Sequence, residues 1–123
     1  QGAITINNGV TTVTQPSWIA PTLLNSFYNF NATTYQSAGY YIDSNGRVYL
    51  RGLVARASAA LNTAIFQLPA GYRPLKTTLF GVLANNFNAR LDIDSSGNIT
   101  IQAADNAGWY GFITLDGVNF DTR

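Results

Sequence analysis

Two stretches decide the fold: Ile42-Asp43-Ser44-Asn45-Gly46-Arg47-Val48-Tyr49-Leu50 and Ile93-Asp94-Ser95-Ser96-Gly97-Asn98-Ile99-Thr100-Ile101. In each, an apolar residue leads into Asp-Ser-polar-Gly, and an alternating run leaves it. Aspartate suits the first position of a type I turn, where its carboxylate accepts backbone N–H groups. Glycine suits the fourth, where a positive φ forms a bulge and restores the strand twist. Both stretches therefore predict β-hairpins. On the leaving strand of the first, Val48 and Leu50 share one face and Arg47, Tyr49 and Arg51 the other. In the second hairpin Leu91, Ile93, Ile99 and Ile101 are expected inward, with Arg90, Asp92 and Asp94 outward. Gly52 interrupts the first leaving strand and suggests a bulge.

Outward from the hairpins, the apolar runs stay short, rich in Val, Ile, Thr, Tyr and Phe, and bounded by Gly, Asn, Ser and Asp. Further strands are expected at Ala64 to Leu68, Thr77 to Ala84 and Trp109 to Leu115. Leu68-Pro69-Ala70-Gly71-Tyr72-Arg73-Pro74 reads as a rigid connector. Gln15 to Thr22, with Pro16 and Pro21 around Trp18, reads as an extended loop. Leu23 to Phe30 fits one helical turn or a strand. No stretch holds a 3.6-residue period for three turns, so no long helix is expected. The expected fold class is all-β: an antiparallel β-sandwich, jelly-roll-like, of about 7–8 strands. Residues 1–15, weakly alternating and broken by Asn7-Asn8-Gly9, read as a lead-in with two short strands. Residues 16–123 read as a single β-sandwich domain. The chain starts at Gln1 without Met, which fits a fragment of a longer protein. Leu79-Phe80-Gly81-Val82-Leu83 is apolar on both faces, and Trp109 to Leu115 nearly so. Such a strand implies either a covering loop or a face buried between subunits.

Composition removes several chemistries. Of 123 residues only 11% are charged, with a formal net charge of +1; an average soluble protein is about 25% charged. The balance lacks the basic footprint of a nucleic-acid binder. There is no Cys, no His and no Glu, so thiol catalysis, disulfides, Cys-ligated zinc and the Ser-His-Asp and Cys-His triads are excluded within the chain. No apolar run approaches the ~20 residues of a membrane span. No cofactor and no metal are expected. Asp92-Ile93-Asp94-Ser95-Ser96-Gly97 matches the start of a calcium loop. Its twelfth position, however, is Ala103 and no flanking helices are visible, so a hairpin accounts for the same residues. Asp92 and Asp94 lie at D-x-D spacing, about 6.6 Å apart along a strand face, which is within glycosidase range; Arg90 on the same face is expected to pair with Asp92.

The aromatics point elsewhere. Sixteen aromatic residues, seven of them Tyr, are set among many Asn, Thr and Ser. Sugars lay an apolar C–H face on an aromatic ring and bond their hydroxyls to Asn, Asp and Gln. Two loops combine the ingredients: Asn85-Asn86-Phe87-Asn88 and Asp105-Asn106-Ala107-Gly108-Trp109-Tyr110. They flank the second hairpin, which places both at one end of the sheet. Trp109 and Tyr110 are the expected stackers, and Asn86, Asn88, Asp105 and Asn106 the hydroxyl partners. The stripe Arg47, Tyr49, Arg51 could meet phosphate or anionic polysaccharide, or a neighbouring strand or subunit.

The order of several blocks carries a resemblance. Trp18-x-x-Pro21-Thr22-Leu23-Leu24-Asn25-Ser26-Phe27 is followed by Tyr35. Next come Gly39-Tyr40-Tyr41-x-Asp43-x-x-Gly46-Arg47-Val48-x-Leu50-Arg51-Gly52-Leu53-Val54 and Ile65-Phe66-x-Leu68-Pro69-x-Gly71-Tyr72-Arg73-Pro74. Leu115-Asp116-Gly117-Val118-x-Phe120 closes the series. Together they resemble the carboxy-terminal receptor-binding head of bacteriophage tail-fibre and baseplate proteins. The resemblance implies a distal, β-rich, often trimeric head at a virion tail fibre or a phage-derived particle. It implies a head that touches the host surface, joined to the remainder of the fibre, with residues 1–15 as the end of a stalk or linker and residues 16–123 as the head domain. The partner expected from the aromatic and amide loops is bacterial surface polysaccharide. The expected function is non-catalytic glycan recognition. The alternatives are a purely structural trimerising cap and a glycan depolymerase using Asp92 or Asp94. The matching blocks are scaffold, which leaves recognition to the loops outside them.

Overall fold

The structure is a computed structural model, and it describes residues 4–7, 10–13 and 16–123. Two short strands, β1 (Ile4–Asn7) and β2 (Val10–Val13), pair antiparallel as a hairpin, matching the two lead-in strands. The stalk reading of residues 1–15 otherwise falls largely outside the described residues. The remaining ten strands form two antiparallel sheets, as expected for a sandwich. They are β3 (Tyr28–Asn29), β4 (Gly39–Ile42), β5 (Arg47–Arg51), β6 (Leu53–Ala55), β7 (Ala64–Gln67), β8 (Thr78–Ala84), β9 (Phe87–Ile93), β10 (Asn98–Ala104), β11 (Ile113–Thr114) and β12 (Asn119–Asp121). The larger sheet runs β3-β6-β11-β8-β9-β10-β7 and the smaller β12-β5-β4. A single 3₁₀ turn, Trp109–Gly111, is the one helical element among the described residues.

Both Asp-Ser-polar-Gly hairpins form, with the same bonding. Asp43 Oδ1 accepts the N–H groups of Asn45 and Arg47 at 2.9 and 3.0 Å. Asp94 Oδ1 accepts those of Ser96 and Asn98 at the same two distances. Gly46 and Gly97 sit at φ +83° and +84°, and each N–H returns to its aspartate carbonyl. The Arg47 N–H, aided by the Tyr49 hydroxyl, holds the Asp43 carboxyl below its ordinary value.

The apolar alternation then builds the core. Val48, Leu50, Tyr40 and Phe120 of the small sheet face Val54, Leu91, Ile93, Ile99, Ile101 and Ile113 of the large one. Burying side chains of this size stabilises by roughly 1.5–3 kcal/mol each before ordering costs.

The strand count exceeds the expectation because the chain changes sheets where a single strand was read. Gly52 is not a bulge within one strand: β5 belongs to the small sheet and β6 to the large one. On the return, β11 lies in the large sheet and β12 in the small. The two crossings are stitched together. The Leu115 N–H donates to the Gly52 carbonyl at 2.8 Å, and the Gly52 N–H donates to Asp116 Oδ1 at 2.8 Å. Gly52 has φ +113°, and a Cβ there would stand 2.6 Å from the Ala38 backbone.

Two other expectations change. Trp109 to Leu115 is not one strand. Gly111 N–H bonds to the Gly108 carbonyl in the 3₁₀ turn, and only Ile113–Thr114 pair as β11. Leu23 to Phe30 holds a turn at Asn25 and Ser26, both at positive φ, before the short β3. The doubly apolar β8 directs Phe80, Val82 and Ala84 inward, whereas Leu79 and Leu83 stay 53% and 46% exposed. No loop of the described chain covers them.

Gly52→Ala is expected to cost about 2–4 kcal/mol, through backbone strain and the clash with Ala38. Denaturant unfolding of the variant checks this.

Candidate functional site

The strands β8 and β9 are joined by the two-residue turn Asn85-Asn86, at φ +47° and +69°. Two consecutive positive φ values give the turn whose twist suits a tight hairpin, and asparagine tolerates them. Asn85 does more than turn the chain. Its N–H donates to the Phe112 carbonyl at 2.9 Å, and its Nδ2 donates to the Gly108 carbonyl at 2.8 Å. Gly108 and Gly111 make room for it: a Cβ on either would stand 3.2–3.3 Å from Asn85 Nδ2. The Asp105 N–H donates to the Asn88 carbonyl at 3.0 Å. The two loops are thus joined at one end of the large sheet, as the hairpin order implied.

Within that end the residues divide. Asn86, Asn88 and Asp105 are exposed. Asn88 and Asp105 line a shallow hollow of about 300 Å³ with Gly81, Arg90 and Ala103. The hollow exists partly because Gly81 has no side chain between Leu79 and Leu83. Asn106 Oδ1 accepts the Gly108 N–H at 2.7 Å, so its oxygen is occupied by the turn. Tyr110 is half-buried, its ring edge-on to Trp109 at 6.0 Å.

Trp109 requires a correction. It was expected to stack on a ligand, but it is 3% exposed and belongs to the core. The 3₁₀ turn, tied down through Asn85, rotates the indole under the sheet edge. The aromatic ring that this end does expose is Phe87, at 46%. Its place immediately after the Asn-Asn turn was the available signal, since a strand's first residue lies where the sheet stops covering it.

The D-x-D pair is fully engaged. Asp92 lies on the outer face but is only 7% exposed. Both its oxygens accept from Arg90, at 2.9 Å each, the pairing that the spacing suggested. Asp94 takes Ser96 and Asn98 N–H groups on Oδ1 and the Asn98 amide on Oδ2. A polar groove of about 490 Å³ lies beside the pair, lined also by Asn62, Thr100 and Gln102. Among the described residues no three acids gather as a metal site would require.

A larger groove, about 730 Å³, opens on the outer face of the large sheet between Phe30, Tyr35, Leu53, Leu83 and Phe112. Phe30 packs at 5.7 Å on Tyr35 and 5.8 Å on Phe112, so its floor is aromatic. With Leu79 it makes the outer surface of β8 and its neighbours the most apolar exposed region.

No family model matches the chain, and no curated protein matches it in sequence. Its fold is similar to that of a phage receptor-binding protein. The solved structure is the receptor binding protein (gp15) of Listeria phage PSA, with a TM-score of 0.66 and 19% sequence identity over 87% of this chain. The chain spans 65% of that protein's length. The likeness to phage receptor-binding heads, read from the sequence blocks, is borne out in the fold. No helix among the described residues is long and apolar enough to cross a membrane.

Asn85→Ala is expected to cost about 1–3 kcal/mol, by leaving the Gly108 carbonyl unpartnered and straining a positive φ. Amide exchange at residues 105–111 should quicken with it. Asn86→Gly, which suits the same φ and breaks no bond, should change stability by less than about 0.5 kcal/mol. Hydrogen exchange on both variants checks the division.

Proposed function

We propose that the chain is the receptor-binding head of a phage-type tail fibre, holding bacterial surface glycan without cleaving it. The observation that carries this reading is the fold shared with a phage receptor binding protein over 87% of the chain. The joined loops of the large sheet support the placement of the site. Asn88 and Asp105 offer hydrogen-bonding side chains at a shallow hollow, Asn86 lies in the adjoining turn, and Phe87 offers an exposed ring from the other face of the same strand end. The Asn106 amide and the Tyr110 hydroxyl lie on the second loop. Amide and carboxylate groups with an aromatic at the same end of the sheet suit sugar hydroxyls. The engagement of Asp92 by Arg90 and of Asp94 by its own turn supports binding over hydrolysis, which needs one free base and one proton donor.

The head is read as a homotrimer attached to the remainder of the fibre in a virion or a phage-derived particle. Leu79, Leu83 and the aromatic groove around Phe30 form the surface best suited to contact between copies, since apolar faces of this kind are buried in obligate assemblies. Three weak sites on one fibre would then add through effective concentration. The same apolar surface favours a second reading, a trimerising cap with no ligand of its own.

Two measurements test these readings. Fluorescently labelled chain should decorate host cells, and the triple variant Asn86→Ala, Asn88→Ala, Asp105→Ala should lose at least tenfold in apparent affinity. Decoration unchanged in the triple variant removes the site, and a stable trimer that decorates no cells favours the cap. Light scattering should report a trimer, and Leu83→Lys should shift it to monomer; a monomeric wild type would overturn the assembly.

A further inference from the structure

The outer surface of the small sheet carries an aromatic and cationic cluster that the end loops do not use. Arg47, Tyr49 and Arg51 alternate along β5, and the register sets Tyr41 and Gly39 of β4 and Asn119 of β12 beside them on the same face. Tyr41 and Tyr49 stack, with ring centroids 5.0 Å apart and 21° between planes. Trp18 meets Tyr41 edge-on at 4.6 Å, and the Arg51 guanidinium carbon lies 4.4 Å from the Trp18 ring centroid. Gly39 provides the seat: a Cβ there would touch Arg51 Nε at 3.4 Å and the Trp18 ring at 3.5 Å. Trp18, Tyr41, Arg47, Tyr49 and Arg51 are all half-buried, so part of each is open to a ligand.

Among the described residues neither of its arginines is in an ion pair. Arg51 Nε is buried and has no hydrogen-bond partner among the described residues. Among those residues the sole ion pair is Arg90 with Asp92, on the other sheet. Arg47 Nε donates to Asn119 Oδ1 at 2.8 Å, a neutral partner. Of the acids nearby, Asp43 gives Oδ1 to its turn and Oδ2 to the Tyr49 hydroxyl, and Asp121, opposite Arg47 in the ladder, is exposed and gives Oδ1 to the Arg123 N–H. A buried guanidinium nitrogen without an acceptor carries an uncompensated desolvation cost, which an oxyanion relieves through strong charge-assisted bonds. Stacked tyrosines one residue pair away supply the apolar surface a sugar ring needs.

We propose that this surface is a binding site for an anionic saccharide unit, its ring against the Tyr41–Tyr49 pair and its phosphate or carboxylate on Arg51 and Arg47. The inference rests on the glycan reading of the head and adds to it a second site and the charge of the ligand.

The test is a titration of the ¹⁵N-labelled full chain with glucose 1-phosphate, galacturonic acid, inorganic phosphate and glucose. Amide and arginine Nε–H resonances report the binding. At least one charged sugar should shift the Arg51 Nε–H and the Tyr41 and Tyr49 amides, binding at least tenfold more tightly than glucose. Arg51→Gln should abolish that preference while leaving the remaining spectrum in place. Preference for the phosphate ester names phosphate as the substituent and preference for the uronate names carboxylate; either supports the site. Glucose binding as tightly as the charged sugars, or inorganic phosphate matching the sugar phosphate, overturns it. So does an Arg51→Gln chain that changes oligomeric mass with no sugar-dependent shift, which would give the surface to a second copy. Cell decoration separates the two levels. Wild-type chain that binds no cells fails the glycan reading itself, whereas equal decoration by wild type and Arg51→Gln fails this site alone.

Discussion

The sandwich depends on one corner. At Gly52 and at Leu115–Asp116 the chain passes between the two sheets in opposite directions, and two hydrogen bonds join the two passages there. A strand that leaves one sheet for another abandons its ladder partners, and those backbone groups must find new ones. Here each crossing supplies the other. The arrangement also needs a residue without a side chain, because the Ala38 backbone fills the space a Cβ would take. From that corner the small sheet is laid over the large one, and Val48, Leu50 and Phe120 are brought against Ile93, Ile101 and Ile113.

What the sequence shows and what it hides follow from range. The Asp43 and Asp94 turns are legible because every bond in them lies within five residues, so their chemistry is written locally. The pairing of Arg90 with Asp92 is legible for the same reason. The sheet change at Gly52 is not, since an alternating run interrupted by glycine reads identically as a bulged strand or as a corner. Only Asp116, sixty-four positions away, distinguishes them. Trp109 misleads in a similar way. An aromatic after Asn-Ala-Gly looks like a loop-tip stacker until Asn85, from another hairpin, draws Gly108 inward and takes the indole with it. The loops' proximity was readable from hairpin order; which of their side chains face water was not.

The low charge acquires a structural setting. The described residues hold a single ion pair, and most other charged side chains are tied to backbone or amide groups. Arg56, for instance, binds the Asn25 and Ser58 carbonyls, and Arg73 binds that of Leu68. Charge in this domain mostly fastens loops. Arg51 stands apart because its buried Nε fastens nothing.

The turn at Asn85-Asn86 separates anchoring from display. Asn85 carries two of the bonds that hold the neighbouring loop, and Asn86 needs only to tolerate its backbone angle. Asn88 and Asp105 are exposed and, among the described residues, their side chains make no hydrogen bond, so these positions can be exchanged with little penalty to folding. A surface built this way can change its displayed side chains while the frame beneath it stays the same.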